Sequence, residues 1–136
     1  MVTDGYVGTA LAQQLDLKRG VRAWFCGMPD GIRAALDLER LGVDEQDTAS
    51  AGLEHVHLFC SDRAGLEHQL AAVRALIDPA AFVWVSWRDG AQGQHGALTA
   101  DAIREVAEPL GLTAVKECAV DADWSGLKLM IRQSLR

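Results

Sequence analysis

The sequence predicts an α/β domain of three layers: a mostly parallel sheet, helices on both faces, and an antiparallel β-hairpin at the end. Three observations predict it. Strand-like apolar runs alternate with helix-like segments along most of the chain, which implies right-handed crossovers and parallel strands. The run 81–87 is almost wholly apolar, as expected of a strand covered on both faces. The last two strand-like runs, 113–120 and 127–133, are joined by a short turn alone and therefore pair antiparallel.

Each element has its own signal. Thr9 caps a short helix over residues 10–16, and Lys18-Arg19-Gly20 breaks it. Residues 21–26 are a strand, followed by a tight turn at 27–31 rich in glycine and proline. Ile32, Ala35, Leu36 and Leu41 share one face of a helix over 32–41. The polar, acidic stretch 42–52 reads as an exposed connection with at most a weak edge strand near Val43. Residues 54–60 form a strand, and Ser61-Asp62 starts a helix in which Leu66, Leu70, Val73 and Ile77 line one stripe. Asp78-Pro79 stops that helix, and 88–98 is a glycine-rich loop after the next strand. Thr99 caps a helix carrying Ile103, Val106, Ala107 and Leu110, ended by Pro109 and Gly111.

The chain of 136 residues reads as a single domain, residues 1–20 an N-terminal arm with a short helix and 21–136 the core. A net charge of −6 and no basic stripe argue against nucleic acid, which needs concentrated positive surface. No apolar run approaches membrane-spanning length, and the start lacks the pattern of a secretory leader. Cys26, Cys60 and Cys118 are widely spaced within apolar runs, as free buried cysteines in a reducing cytoplasm are.

Three segments are candidates for chemistry. The turn 27–31 follows the first core strand, where glycine permits close backbone approach and the next helix offers free amides. Gly27 and Gly31, with Asp62 at the end of a later strand, are thus the candidate cofactor contacts. His55 and His57 face one way on a strand, yet no third ligand stands at metal-site spacing, and no metal is expected. No Gly-x-Ser-x-Gly elbow is present, and no catalytic set is assigned. Trp24, Trp84 and Trp87 read as core. Finally, residues 120–128 gather Asp121, Asp123, Trp124, Ser125 and Lys128 around one hairpin turn. This is either a polar pocket with Lys128 balancing an aspartate, or a turn braced by an Asx-type hydrogen bond with Trp124 over the sheet.

A terminal hairpin on such a sheet resembles the Rossmann-like layout of class I methyltransferases, with one flank removed, because 41–53 is too short for two further strand–helix units. That loss takes away the second strand, which supplies the acid that grips a ribose. The opening Gly5-Tyr6-x-Gly8-Thr9 and the closing Val120-Asp121-x-x-Trp124-Ser125-Gly126-Leu127-Lys128 resemble paired signatures of a small bacterial family of unknown function. Val7 and Ala10 stand where that pattern has serine and proline. The resemblance implies a bacterial cytoplasmic protein and supplies no reaction. It singles out Gly5, Tyr6, Gly8, Thr9, Asp121, Trp124, Ser125, Gly126 and Lys128 as candidate binding residues. We therefore expect a non-catalytic, methyltransferase-like module for a protein partner or small ligand, with no cofactor. A minimal S-adenosylmethionine-dependent enzyme is the alternative, and a homodimeric structural subunit the third reading. The arm around Tyr6 is expected to fold across the sheet and meet the hairpin around Trp124.

Overall fold

A computed structural model of the protein describes residues 6–88 and 98–136. Among these the elements run α1 (Ala10–Gln14), β1 (Arg22–Cys26), α2 (Asp30–Leu36), α3 (Leu38–Leu41), β2 (Asp44–Glu45), β3 (Leu53–Phe59), α4 (Arg63–Arg74), β4 (Ile77–Arg88), α5 (Ala100–Ala107), β5 (Leu112–Ala119) and β6 (Trp124–Ile131). The strands form one sheet in the order β2-β1-β3-β4-β6-β5. The first four are parallel, and the β5–β6 hairpin joins through β6 antiparallel to β4. The expected fold class is the observed one.

The two faces of the sheet are packed differently. On one, α4 and α5 lay Leu66, Leu70, Val73, Ile103 and Val106 over Val56, Leu58, Val83, Val85, Leu127 and Leu129. The even stripe on α4 explains why its periodicity was readable. On the other face, α1, α2 and α3 cover Phe25, Phe59 and Trp84 with Ala12, Leu15, Ile32, Leu36 and Leu41. Here the sheet also buries His55, His57, Ser86 and Lys128.

Four details differ from the sequence reading. The helix expected over 32–41 starts at Asp30 and breaks at Asp37, whose φ of 50° is left-handed, a conformation aspartate tolerates better than most residues. Ile77 fits the α4 stripe by spacing but lies in β4 opposite Leu53, so strand pairing overrides helical register. Asp78 and Pro79 accordingly sit within β4, at an irregularity between the Leu53 and His55 pairings, where a proline costs no regular ladder bond. The second strand is also not lost: it survives as Asp44–Glu45, parallel to β1. The expected loop 88–98 falls largely outside the described residues; within them, Arg88 ends β4 and Leu98 is buried.

Candidate functional site

Ligands of parallel α/β sheets sit beyond the carboxyl ends of the strands. Among the described residues that edge includes the turn after β1, the end of β2 and the start of α4. Gly27 has φ +75°, and a Cβ placed on it would lie 3.1 Å from the Phe59 carbonyl oxygen. The close approach that this glycine permits is therefore made by the chain's own β3. Gly31 lies inside α2 with open space around its Cα. The cap residue of α2, Pro29, has no N–H, and the first turn carries the Asp30 carboxylate, so this helix end offers an anion less than an ordinary one does. Asp62 is spent as the N-cap of α4, accepting from the Gly65 amide at 2.7 Å.

Two further side chains at this edge escaped the sequence reading. Glu45 ends β2 about twenty residues after Gly27, the spacing at which a Rossmann acid meets a ribose. That spacing was the available signal, and the shortness of β2 hid it. Arg33 holds this carboxylate with two hydrogen bonds of 2.9 and 2.7 Å. Gln69 of α4 donates to Cys26 Sγ at 3.1 Å and accepts from Cys60 Sγ at 3.4 Å. Burial, with Cys26 and Asp62 nearby, pushes the Cys60 thiol up to about 12, which leaves it protonated and unreactive. A cleft of about 290 Å³ opens here among Phe59, Cys60, Asp62, His68 and Gln69, and none of the residues 27–31 lines it.

The closing motif is accounted for largely by the fold. Asp121 Oδ1 accepts from the amides of Asp123 and Trp124 at 2.8 and 2.9 Å, an Asx-type brace of the turn. Trp124 meets Phe59 edge to face at 5.2 Å, with the Arg88 guanidinium 5.8 Å from its ring centroid. Gly126 leaves no room for a side chain, since a Cβ would stand 3.0 Å from Val120 and 3.2 Å from both Ser86 and Trp84. Ser125 is half-buried on β6. Lys128 does not balance Asp121 or Asp123; it is buried under the arm, 2.7 Å from Asp16 and 3.6 Å from the Phe82 ring centroid. A lysine held there gains both charge neutralisation and a cation–π contact, which an exposed turn cannot supply.

The arm does cross the sheet to the hairpin, through residues past the opening motif. Gln14 donates to the Ala119 carbonyl at 2.9 Å, Lys116 donates to the Gln14 carbonyl at 2.7 Å, and the Trp84 indole donates to the Leu15 carbonyl at 3.0 Å. Tyr6 and Trp124 pack on the same apolar cluster. Their rings meet different neighbours, Arg40 over Tyr6 and Phe59 with Arg88 at Trp124. Thr9 caps α1 through the Ala12 amide at 3.2 Å, and Gly8 lies tight against Ala12 and Leu41. Gly5 lies outside the described residues.

Beneath the arm runs a buried polar row. His57 Nε2 is 2.6 Å from Ser86 Oγ and its ring stacks on Phe59 at 4.1 Å. Burial drives the His55 pKa down to about 3, and it holds that of His57 well below the ordinary histidine value, so both are neutral. Burial alone raises the Asp16 carboxyl, but the hydrogen bond and charge of Lys128, with Lys116 behind, outweigh it and hold the pKa low. His57 and Ser86 have the atoms of a base–nucleophile pair, but both are shut off from solvent. Among the described residues no cluster of three histidine, cysteine or acidic side chains is placed to hold a metal. None of their helices is long and apolar enough to cross a membrane.

A parallel sheet covered on both faces, closed by a hairpin, with a glycine turn after β1 and an acid ending β2, defines a methyltransferase-like Rossmann domain. Within that class the chain belongs to the family described as "Protein of unknown function (DUF3052)", whose model matches residues 28–133. The match includes the closing motif and begins after the opening one. No curated protein matches the sequence. Solved structures with the same fold include a TehB-like SAM-dependent methyltransferase from Corynebacterium glutamicum, at TM-score 0.56 and 12% identity over 91% of this chain and 88% of that one. A ribosomal protein L11 methylase from Lactobacillus delbrueckii aligns at TM-score 0.63 and 12% identity over 90% and 78%. The magnesium protoporphyrin IX methyltransferase of Synechocystis, solved with bound SAH, aligns at 0.57 and 10% identity over 85% and 75%. At such identities the likeness shows the fold alone.

Proposed function

We propose that this chain is a non-catalytic methyltransferase-like module, which binds a protein partner or small ligand and has given up the cofactor cradle of its fold. The observation that carries this reading is the separation of the cradle's parts. The turn 27–31 is backed by Phe59, while the cleft at the end of β3 takes in Asp62 and none of that turn. An adenosine-bearing cofactor needs both halves in one pocket. Two described side chains of the same edge are not poised for chemistry: Cys60 is held protonated, and Asp62 is committed to its helix cap.

The second reading, a minimal S-adenosylmethionine-dependent methyltransferase, is favoured by one observation. Glu45 stands where a ribose-binding acid belongs, and its pair with Arg33 is exposed enough for a ligand to displace. Thermal unfolding with and without S-adenosylhomocysteine separates the two. A ligand at a hundred times its dissociation constant stabilises the native state by about 2.7 kcal/mol, readily seen in a domain of this size. The module reading expects no shift with millimolar ligand. A saturable shift, confirmed by calorimetric titration, replaces it with the enzyme reading.

A further inference from the structure

The largest unspent chemistry lies at the other end of the sheet, on the arm. A cavity of about 420 Å³ opens between the arm and the end of α3, with Tyr6, Gln13, Asp16, Lys18, Arg19 and Leu41 in its wall. That volume is in the range of small-molecule sites. Its charges are unevenly used. Asp16 is neutralised from outside the cavity by Lys128 at 2.7 Å and Lys116 at 3.7 Å. The Lys18 and Arg19 side chains make no hydrogen bond or ion pair among the described residues. A third cation, Arg40, lies over the Tyr6 ring at 4.0 Å. In a chain of net charge −6, cations gathered beside a cavity are a local exception.

Two details make this more than a solvated patch. The Tyr6 hydroxyl is closed off from water and has no hydrogen-bond partner, whereas buried phenols nearly always have one. Arg19 is laid along a fixed track: the Gly20 amide donates to the Gly42 carbonyl at 2.8 Å. A Cβ on Gly42 would stand 3.0 Å from Arg19 Nη1 and 3.4 Å from its Cγ. A guanidinium held in place loses less entropy on binding than a free one.

We propose that this cavity binds a small molecule through a phosphate or carboxylate group, with Lys18 and Arg19 supplying the charge and the closed-off Tyr6 hydroxyl gaining its missing hydrogen-bond partner as the ring turns toward the bound anion. A planar guanidinium beside an ammonium matches the oxygens of either anion. The site goes beyond the module reading and does not depend on it, because it shares no residue with the carboxyl edge.

Tyr6 is the single tyrosine of the chain, so its ring signals in NMR report the site directly. Inorganic pyrophosphate and citrate are titrated at matched ionic strength, alongside thermal unfolding. The proposal expects saturable shifts at the Tyr6 ring and a raised Tm, with the tighter of the two probes identifying the anion as phosphate or carboxylate. Lys18→Gln with Arg19→Gln weakens binding about tenfold or more. Should Arg19→Gln disturb packing on Gly42, Lys18→Gln alone still weakens it severalfold. Tyr6→Phe weakens binding about fivefold, read by Tm, without lowering the Tm of the ligand-free protein. Failure of both anions to saturate by about 10 mM, or wild-type affinity in the Lys18 and Arg19 variants, overturns the proposal.

Discussion

The two ends of the sheet use their polar groups in opposite ways. At the carboxyl end they are spent on the chain itself: Asp62 caps α4, Gln69 joins Cys26 and Cys60, Arg33 holds Glu45, and Asp121 braces the hairpin turn. At the amino end, under the arm, two neutral histidines and a paired Lys128 are buried, while Lys18 and Arg19 make no hydrogen bond or ion pair among the described residues. The fold points to the first end and the free chemistry points to the second. Likeness of fold thus locates where related domains work, and only the state of the side chains says whether this one still does.

Acidification strains the buried row hardest. The folded pKa of His55 is about 3 and that of His57 is well below normal, so the unfolded chain takes up protons that the native state refuses. Their contribution is whole above about pH 6.5 and is lost as the pH falls toward the folded values, by up to about 2.7 kcal/mol per pH unit for the two together. Urea unfolding across that range checks this, and replacing His55 with Gln should roughly halve the slope. A flat profile would mean that the row is open to water.

Next in size is the anchor of the arm. Lys128→Met leaves Asp16 in a half-closed site without its nearest partner, at a cost of about 2 kcal/mol, and Asp16→Asn on that background recovers most of it. At the carboxyl end, Gly27→Ala costs about 1–2 kcal/mol, because the left-handed backbone disfavours a Cβ and Phe59 occupies its space. A mild effect there would mean that the turn yields, and would weaken the case for a closed cradle. The smallest effect is expected for Arg33→Gln, under about 1 kcal/mol by denaturation, since that pair is exposed.

The sequence was most legible where burial is apolar. Leu66, Leu70 and Val73 announced α4 because hydrophobic spacing alone sets their face, and the β5–β6 hairpin followed from its short turn. The face under the arm was harder to read, since Lys128 and Asp16 are 112 positions apart and no local pattern announces a buried ion pair. Ile77 fits helical spacing for a related reason: the partner that holds it in a strand, Leu53, is distant in sequence. Of the candidate site residues, Asp121 and Gly126 were visible as a motif, yet their spacing encodes a turn and a close packing contact as readily as a binding surface. Lys18 and Arg19 were read only as the end of a helix, because a cavity is a property of the packed arm.

The most direct test of the closed cradle is an amide NMR titration of the protein with S-adenosylhomocysteine, following Gly27, Asp30, Glu45, Cys60 and Asp62. The account predicts that these signals stay in place up to millimolar ligand. Saturable shifts shared by Gly27, Glu45 and Asp62 would contradict it, since they would place one ligand across both halves of the edge.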